Sequence, residues 1–219
     1  MMLKAFCFDV FGTVFDWRNG IARQADAWLT RHGVDGIDPL EFADAWRARY
    51  QPAMQACREG KRPYVRLDIL HRENLDATLE QFGVDVSGIG EAELEEFNRA
   101  WHRLDPWPDV VEGLQRLKQK YIIATASNGN IAIMVNLARH AGICWDAILG
   151  AEVTGAYKPE PESYSRMAGI LGVAPQEICM VAAHNYDLRA ARENGLSTAF
   201  VPRPTEHGPT QKTDLTPTS

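Results

Sequence analysis

The chain has 219 residues, enough for one sizeable core or a core carrying an insertion, and its 45% hydrophobic and 24% charged residues are an ordinary globular balance. A formal net charge of -6 leaves no basic excess to neutralise phosphates, so a nucleic-acid partner is not expected, although a local basic pocket for a small anion is compatible with it. No apolar run reaches membrane-spanning length, which argues against a membrane partner.

Residues 3–10 (LKAFCFDV) form an aromatic-rich run that reads as a buried strand, with Asp9 near its end and Gly12 and Thr13 breaking the pattern. Residues 16–102 change character and predict four or so helices with almost no strand. Ile21, Ala25, Trp28 and Leu29 share one helical face, and Phe42, Trp46 and Tyr50 share another. After Pro106-Trp107-Pro108 the pattern alternates. Helices are predicted over 109–120, 131–140, 162–171 and 187–194, and strands over 121–126, 145–150, 178–183 and 197–201.

Such alternation implies parallel βαβ units. The expected fold is therefore α/β, a doubly wound, Rossmann-like parallel sheet over residues 1–15 and 103–203. A helical segment, 16–102, is inserted after the first strand. Residues 202–219 are rich in Pro and Thr and are assigned no structure; 204–219 read as a polar tail. Cys7, Cys57, Cys144 and Cys179 form no CxxC pair, and no His cluster has zinc spacing. Residues 1–10 enter directly into a strand and lack the regions of a signal peptide, so a reduced, cytoplasmic protein is expected.

In open α/β sheets ligands bind beyond the carboxyl ends of the strands. Asp9, Ser127-Asn128, Lys158 and the stretch from His184 to Asp187 all fall at that rim. Any one of them alone reads as turn chemistry; four converging on one edge read as a site.

Phe8-Asp-Val-Phe-Gly-Thr-Val14, Ser127-Asn-Gly129, Lys158-Pro159 and Ala182-Ala-His-Asn-Tyr-Asp187 resemble, in order, the four motifs of the haloacid dehalogenase superfamily. The resemblance spans nearly the whole chain and is nearest to the L-2-haloacid dehalogenases (type II). It implies that the helical insertion is a cap domain. Members usually continue, after the last strand seen here, with one more short strand and helix.

Two departures from the superfamily's phosphatases favour that branch. Those enzymes carry a second Asp two residues after the nucleophile to protonate a leaving alcohol; here that residue is Phe11. They also hold magnesium partly through an acidic pair in the fourth motif, where this chain has Ala183 and keeps only Asp187. A halide departs as a stable anion and needs no proton, so neither a metal nor another cofactor is expected.

The resemblance also assigns roles. Asp9 is the nucleophile and forms an ester with a small halocarboxylic acid. Thr13 supports its loop, Lys158 keeps it ionised, and Asp187 orients Lys158 or the hydrolytic water. Ser127 and the amides of Val10 and Phe11 bind the substrate carboxylate. Arg47 receives the halide with Asn128 nearby, and Tyr164 matches an active-site tyrosine. His184 stands where many members have Asn, and contacts substrate, halide or water, or packs. A homodimer is common among such enzymes. The competing readings are a phosphatase or phosphonate hydrolase with an atypical site, and a non-catalytic relative that binds a small anion.

Overall fold

The structure is a computed structural model and describes residues 2–218. Four strands, β1 (Ala5–Phe8), β2 (Ile122–Thr125), β3 (Ile178–Ala182) and β4 (Ser197–Phe200), form one sheet in the order β2-β1-β3-β4. Every pairing is parallel, with Phe8 opposite Thr125 on one side and Val181 on the other. β1 is therefore central, and the chain winds away from it in both directions, which puts the topological switch point at its carboxyl end.

Alternation along the strands builds two cores. Ala5 and Cys7 pack with Met180 and with Tyr164, Met167 and Leu188 on one face. Phe8 and Val181 join a larger cluster on the other, which runs on through Trp17, Trp46 and Trp101. The helices over the first face are α9 (Pro161–Leu171) and α10 (Asn185–Glu193).

Between β1 and β2 the chain makes five α-helices, α1 (Trp17–Arg31), α2 (Pro39–Ala48), α3 (Tyr50–Arg58), α4 (Leu67–Gln81) and α5 (Glu91–Asn98), then a 3-10 turn (Arg99–His102) and α6 (Val110–Lys118). Helix α2 starts at Pro39 because Asp38 caps it, its carboxylate accepting from the Leu40 and Glu41 amides at 2.7 and 3.4 Å. Phe42, Trp46 and Tyr50 are all buried as the spacing requires, but the helix breaks at Arg49 and Tyr50 opens α3. Entry and exit of the insertion lie side by side: Phe15 bridges to Pro106, and the Asp16 amide donates to Asp105 O at 3.0 Å.

A polar clamp fastens the insertion to α7 (Ile131–Ala141). Asn130 donates to Asp68 Oδ2 at 2.7 Å and accepts from the Asp68 amide at 3.1 Å, while His102 bridges Asp68 (2.8 Å) and Asn136 (2.8 Å).

The strand expected over 145–150 does not form. That segment makes only two isolated bridges, Ala124 to Ala147 and Ser127 to Gly150. The Thr125 hydroxyl explains this: it donates to Leu149 O (2.6 Å) and accepts from the Leu149 amide (2.9 Å), so a side chain replaces backbone in the ladder. Beyond it comes the short α8 (Ala151–Thr154). The segment from Pro202 forms turns rather than helix or strand, but it is not a loose tail. Arg203 Nε donates to Thr13 O at 3.0 Å, and Glu206 is buried. No helix among the described residues is long and apolar enough to cross a membrane.

Candidate active site

Asp9 follows β1 directly, and its amide continues the ladder to Val181 O at 2.9 Å. The chain then turns sharply, with the Val14 and Phe15 amides both donating to Val10 O (2.9 and 3.1 Å). Gly12 sits at φ +86°, and a Cβ there would lie 2.0 Å from Glu206 Oε1, so the position admits glycine alone. Thr13 donates to Asp9 Oδ2 at 2.7 Å and accepts from the Ala183 amide at 2.9 Å, tying the first motif to the end of β3.

Lys158, delivered by the loop between α8 and α9, bridges the two carboxylates of the rim. Its ammonium donates to Asp9 Oδ1 at 2.8 Å and to Asp187 Oδ2. The Lys158 amide donates to Asn128 Oδ1 at 2.8 Å, which sets the loop against the end of β2. Asp187 lies in the first turn of α10, where the helix dipole favours a negative charge, and Tyr164 OH donates to its Oδ1 at 2.7 Å.

His184 occupies the N-cap position of α10 without capping it, because its ring is engaged elsewhere. Nδ1 lies 3.1 Å from Asp9 Oδ2, and Nε2 lies 3.0 Å from both oxygens of Glu206. Glu206 also accepts from Trp17 Nε1 at 3.0 Å. The result is a buried row Asp9, His184, Glu206 whose two ends come from opposite ends of the chain.

The electrostatics follow from this packing. Burial opposes charge on Asp9, but Lys158 and His184 outweigh it and hold the carboxyl far below the usual range. Burial likewise opposes charge on His184, yet the Asp9 and Glu206 carboxylates push its pKa up to about 10. Lys158 is raised: burial works against its charge, and Asp187 and Asp9 override it. Asp187, fully buried and facing the negative Asp9, is pushed upward, so Asp9 is the carboxylate that takes the charge first.

A cavity of about 440 Å³ opens beside His184, lined by Arg47, Tyr50, Trp17 and Tyr186 among others. The Arg47 guanidinium lies 4.0 Å from the Tyr50 ring centroid and 5.2 Å from that of Trp17, and its Nη1 is buried without a partner among the described residues. Behind Tyr50 is the buried Phe11, with its ring 6.4 Å from Tyr50, 5.6 Å from Trp101 and 6.1 Å from His71.

The sequence model of the haloacid dehalogenase-like hydrolases matches residues 3–195. The chain belongs to that family. Among curated relatives, this haloacid dehalogenase-like hydrolase is 30% identical to the (S)-2-haloacid dehalogenase of Xanthobacter autotrophicus, over 92% of this chain and 76% of that protein. Its fold superposes on the defluorinating L-2-haloacid dehalogenase Rha0230 with a TM-score of 0.97 at 51% identity, covering 99% and 88% of the two chains. The Xanthobacter autotrophicus L-2-haloacid dehalogenase with chloropropionic acid covalently bound superposes with a TM-score of 0.78 at 29% identity, over 91% and 78%.

The structure brings Asp9, Thr13, Lys158, His184 and Asp187 of this family member into one hydrogen-bonded cluster. Val10, Phe11 and Ser127 are buried around it, and Ser127 Oγ accepts from the Gly129 amide at 2.9 Å, leaving its proton uncommitted among the described residues. Arg47 stands apart on α2 but shares the cavity with His184. Asn128 is committed through its carbonyl oxygen to Lys158, which leaves its NH2 end for a ligand. Tyr164 is fully buried, and its hydroxyl donates to Asp187 Oδ1, which places it behind that carboxylate.

Glu206, Trp17 and His71 were not anticipated. Glu206 carries no local signal, since it sits in an aperiodic stretch and is buried through distant residues, Gly12, Trp17 and His184. The magnesium of the family's phosphatases does not fit these residues. Both Asp9 oxygens are held by Lys158, Thr13 and His184, both Asp187 oxygens by Lys158 and Tyr164, and the side chains of Phe11 and Ala183 offer no ligand atom. Ligand atoms of His184, Glu206 and His207 lie within 4.8 Å of one another, but both His184 nitrogens are engaged by carboxylates and its positive charge repels a cation.

Proposed function

We propose that this protein hydrolyses small (S)-2-haloalkanoic acids to 2-hydroxy acids with inversion, through an ester on Asp9 and without a metal. One observation carries the reading: a buried, ionised Asp9 is held by Lys158 and His184 beside a cavity containing an arginine, with Phe11 where a proton donor would stand. The named relatives and the covalently bound chloropropionic acid in one of them support it. In this reading residues 1–15 and 103–203 work as the core and 16–102 as the cap. The free thiols suit a reducing, cytoplasmic compartment.

The geometry supports two steps. In the first, Asp9 attacks the halogen-bearing carbon. A carbon–oxygen bond forms as the carbon–halogen bond breaks, and the halide leaves with the electron pair toward Arg47. Ser127 and the Val10 and Phe11 amides hold the substrate carboxylate.

Ester formation then removes the negative charge from Asp9. That takes away one of the two anions that raise His184, and the ring releases its proton to the cavity it lines. Glu206 can only accept, so the neutral ring keeps its hydrogen on Nε2 and bares Nδ1 beside the ester. Water adds to the aspartyl carbonyl and gives a proton to Nδ1. The departing alkoxide takes that proton, and the regenerated carboxylic acid ionises and restores the imidazolium. Lys158 and Asp187 hold the carboxyl in place throughout.

A single turnover in heavy-oxygen water, with enzyme in excess, tests this order of events. The label is expected in the peptide containing Asp9 and not in the hydroxy acid. Label in the product of the first turnover, with none on Asp9, would establish direct attack by water and overturn the ester route.

A further inference from the structure

His71, on α4 of the insertion, is unused by that mechanism, and its environment is unusual. It is 1% exposed, and neither ring nitrogen has a partner among the described residues. Buried polar atoms are nearly always bonded, and one left unmet costs about 1–3 kcal/mol. The ring stacks on Trp101 with centroids 4.3 Å apart, and lies 6.1 Å from Phe11 and 5.9 Å from Tyr50, the ring that Arg47 covers. Arg47 Nη1 and Trp101 Nε1 are also buried without partners. Three side chains with unmet N–H groups therefore meet around Phe11 and Tyr50. The carboxylate whose field reaches His71, that of Asp68, is already bonded to His102 and Asn130. Surplus donors among aromatic rings, beside one guanidinium, match a small monoatomic anion.

We propose that His71 is a second halide ligand beside Arg47, donating an uncharged hydrogen bond to the leaving group and shifting preference toward the smaller halides. The inference rests on the dehalogenase reading above. Burial, with the nearby Arg47 charge, pushes the ring down to about 3, so it is neutral at working pH and carries one N–H. No proton is transferred: the halide departs with the electron pair of the broken bond, and His71 keeps its hydrogen. A hydrogen bond to a halide strengthens with the ion's charge density, so the donor stabilises departing fluoride and chloride more than bromide and iodide.

The test compares His71→Phe, which keeps the ring on Trp101 but removes the donor, with His71→Gln, which keeps an N–H. Alkylation is followed in single turnovers on 2-chloropropionate and 2-bromopropionate. Chloride and bromide binding are followed by tryptophan fluorescence, and stability by thermal unfolding. For His71→Phe we expect about tenfold slower alkylation by the chloro acid, a loss of about threefold or less with the bromo acid, and chloride binding weakened about tenfold. Its Tm should be equal or higher, since an unmet polar group has been removed. His71→Gln should recover most of the chloro-to-bromo ratio. An unchanged ratio with unchanged chloride binding, or an equal loss on both acids with a lowered Tm, makes His71 a packing residue and overturns the proposal. If the wild type releases halide from neither acid, the dehalogenase reading fails instead, and the halide titrations alone decide whether His71 helps to hold an anion.

Discussion

Glu206→Gln separates the two chemical steps. In the native row both Glu206 oxygens lie 3.0 Å from His184 Nε2, and Trp17 Nε1 donates to Oε1 at 3.0 Å. Glutamine must turn its carbonyl oxygen to Trp17, because indole only donates, and this aims the NH2 at His184. A hydrogen bond between charged groups is worth about 1.5–3 kcal/mol against about 0.5–1.5 for a neutral one, so the imidazolium loses about 1–2 kcal/mol of support. Its pKa should fall by about one unit from about 10. The neutral ring then accepts at Nε2 and keeps its hydrogen on Nδ1, the wrong tautomer for activating water beside Asp9. Loss of a general base costs about 100-fold or more, so kcat should drop by that order. The alkylation step, which needs only an ionised Asp9, should change by about threefold or less. Intact-protein mass spectrometry during turnover should show the enzyme carrying one acid residue, and a pH titration of the imidazole should show the lowered pKa. Undiminished kcat with no covalent enzyme, or an equal loss in both steps, refutes the role given to the row.

Two further outcomes are expected. Arg47→Ala should lose about 100-fold in kcat/KM, as for other preorganised donors that meet developing charge; retention of more than about half of the activity caps its contribution near 0.4 kcal/mol and removes it from halide departure. His184 is held at about 10 in the folded chain against an ordinary 6.5, so its stabilising contribution is full below about 6.5 and is lost as pH rises toward 10, at most about 5 kcal/mol in all. Urea midpoints should therefore fall between pH 6 and 10 and do so less steeply in His184→Asn; identical slopes would show that the ring does not carry that charge.

Asp9, Thr13 and Asp187 were legible because each sits in a short contiguous stretch beyond a strand end, where the period of the strand stops and polar residues begin, and Lys158 was legible from the Lys158-Pro159 pair although it follows a helix and not a strand. The face shared by Phe42, Trp46 and Tyr50 was legible too, although a break at Arg49 divides it between two helices. The missing third strand was not, because the short apolar run Ala147-Ile148-Leu149 does not reveal that the Thr125 hydroxyl will take the place of backbone groups in pairing. Glu206 was invisible for a related reason: its burial depends on the gap left by Gly12 and on an indole 189 positions away. Tyr164 and His71 fit ordinary amphipathic helices in the sequence. Only their surroundings set them apart, a hydroxyl donating to Asp187 for Tyr164 and, for His71, two ring nitrogens without a partner among the described residues.

The adjoining entry and exit of the helical insertion have an evolutionary consequence. A segment that leaves and rejoins the core at the Phe15–Pro106 bridge is joined to it as a cassette, with β1 and the nucleophile that follows it lying outside the segment. Arg47 and His71 travel with the cassette, while Asp9, Lys158, His184 and Asp187 stay behind. Under the proposed halide roles of Arg47 and His71, selectivity for the departing atom can drift by recombination or by mutation in the insertion, while the residues around Asp9 are inherited with the core. A transplant would have to keep the pairs that cross the seam, Asp68 with Asn130, His102 with Asn136 and Trp17 with Glu206, through which a donated insertion would register on its new host.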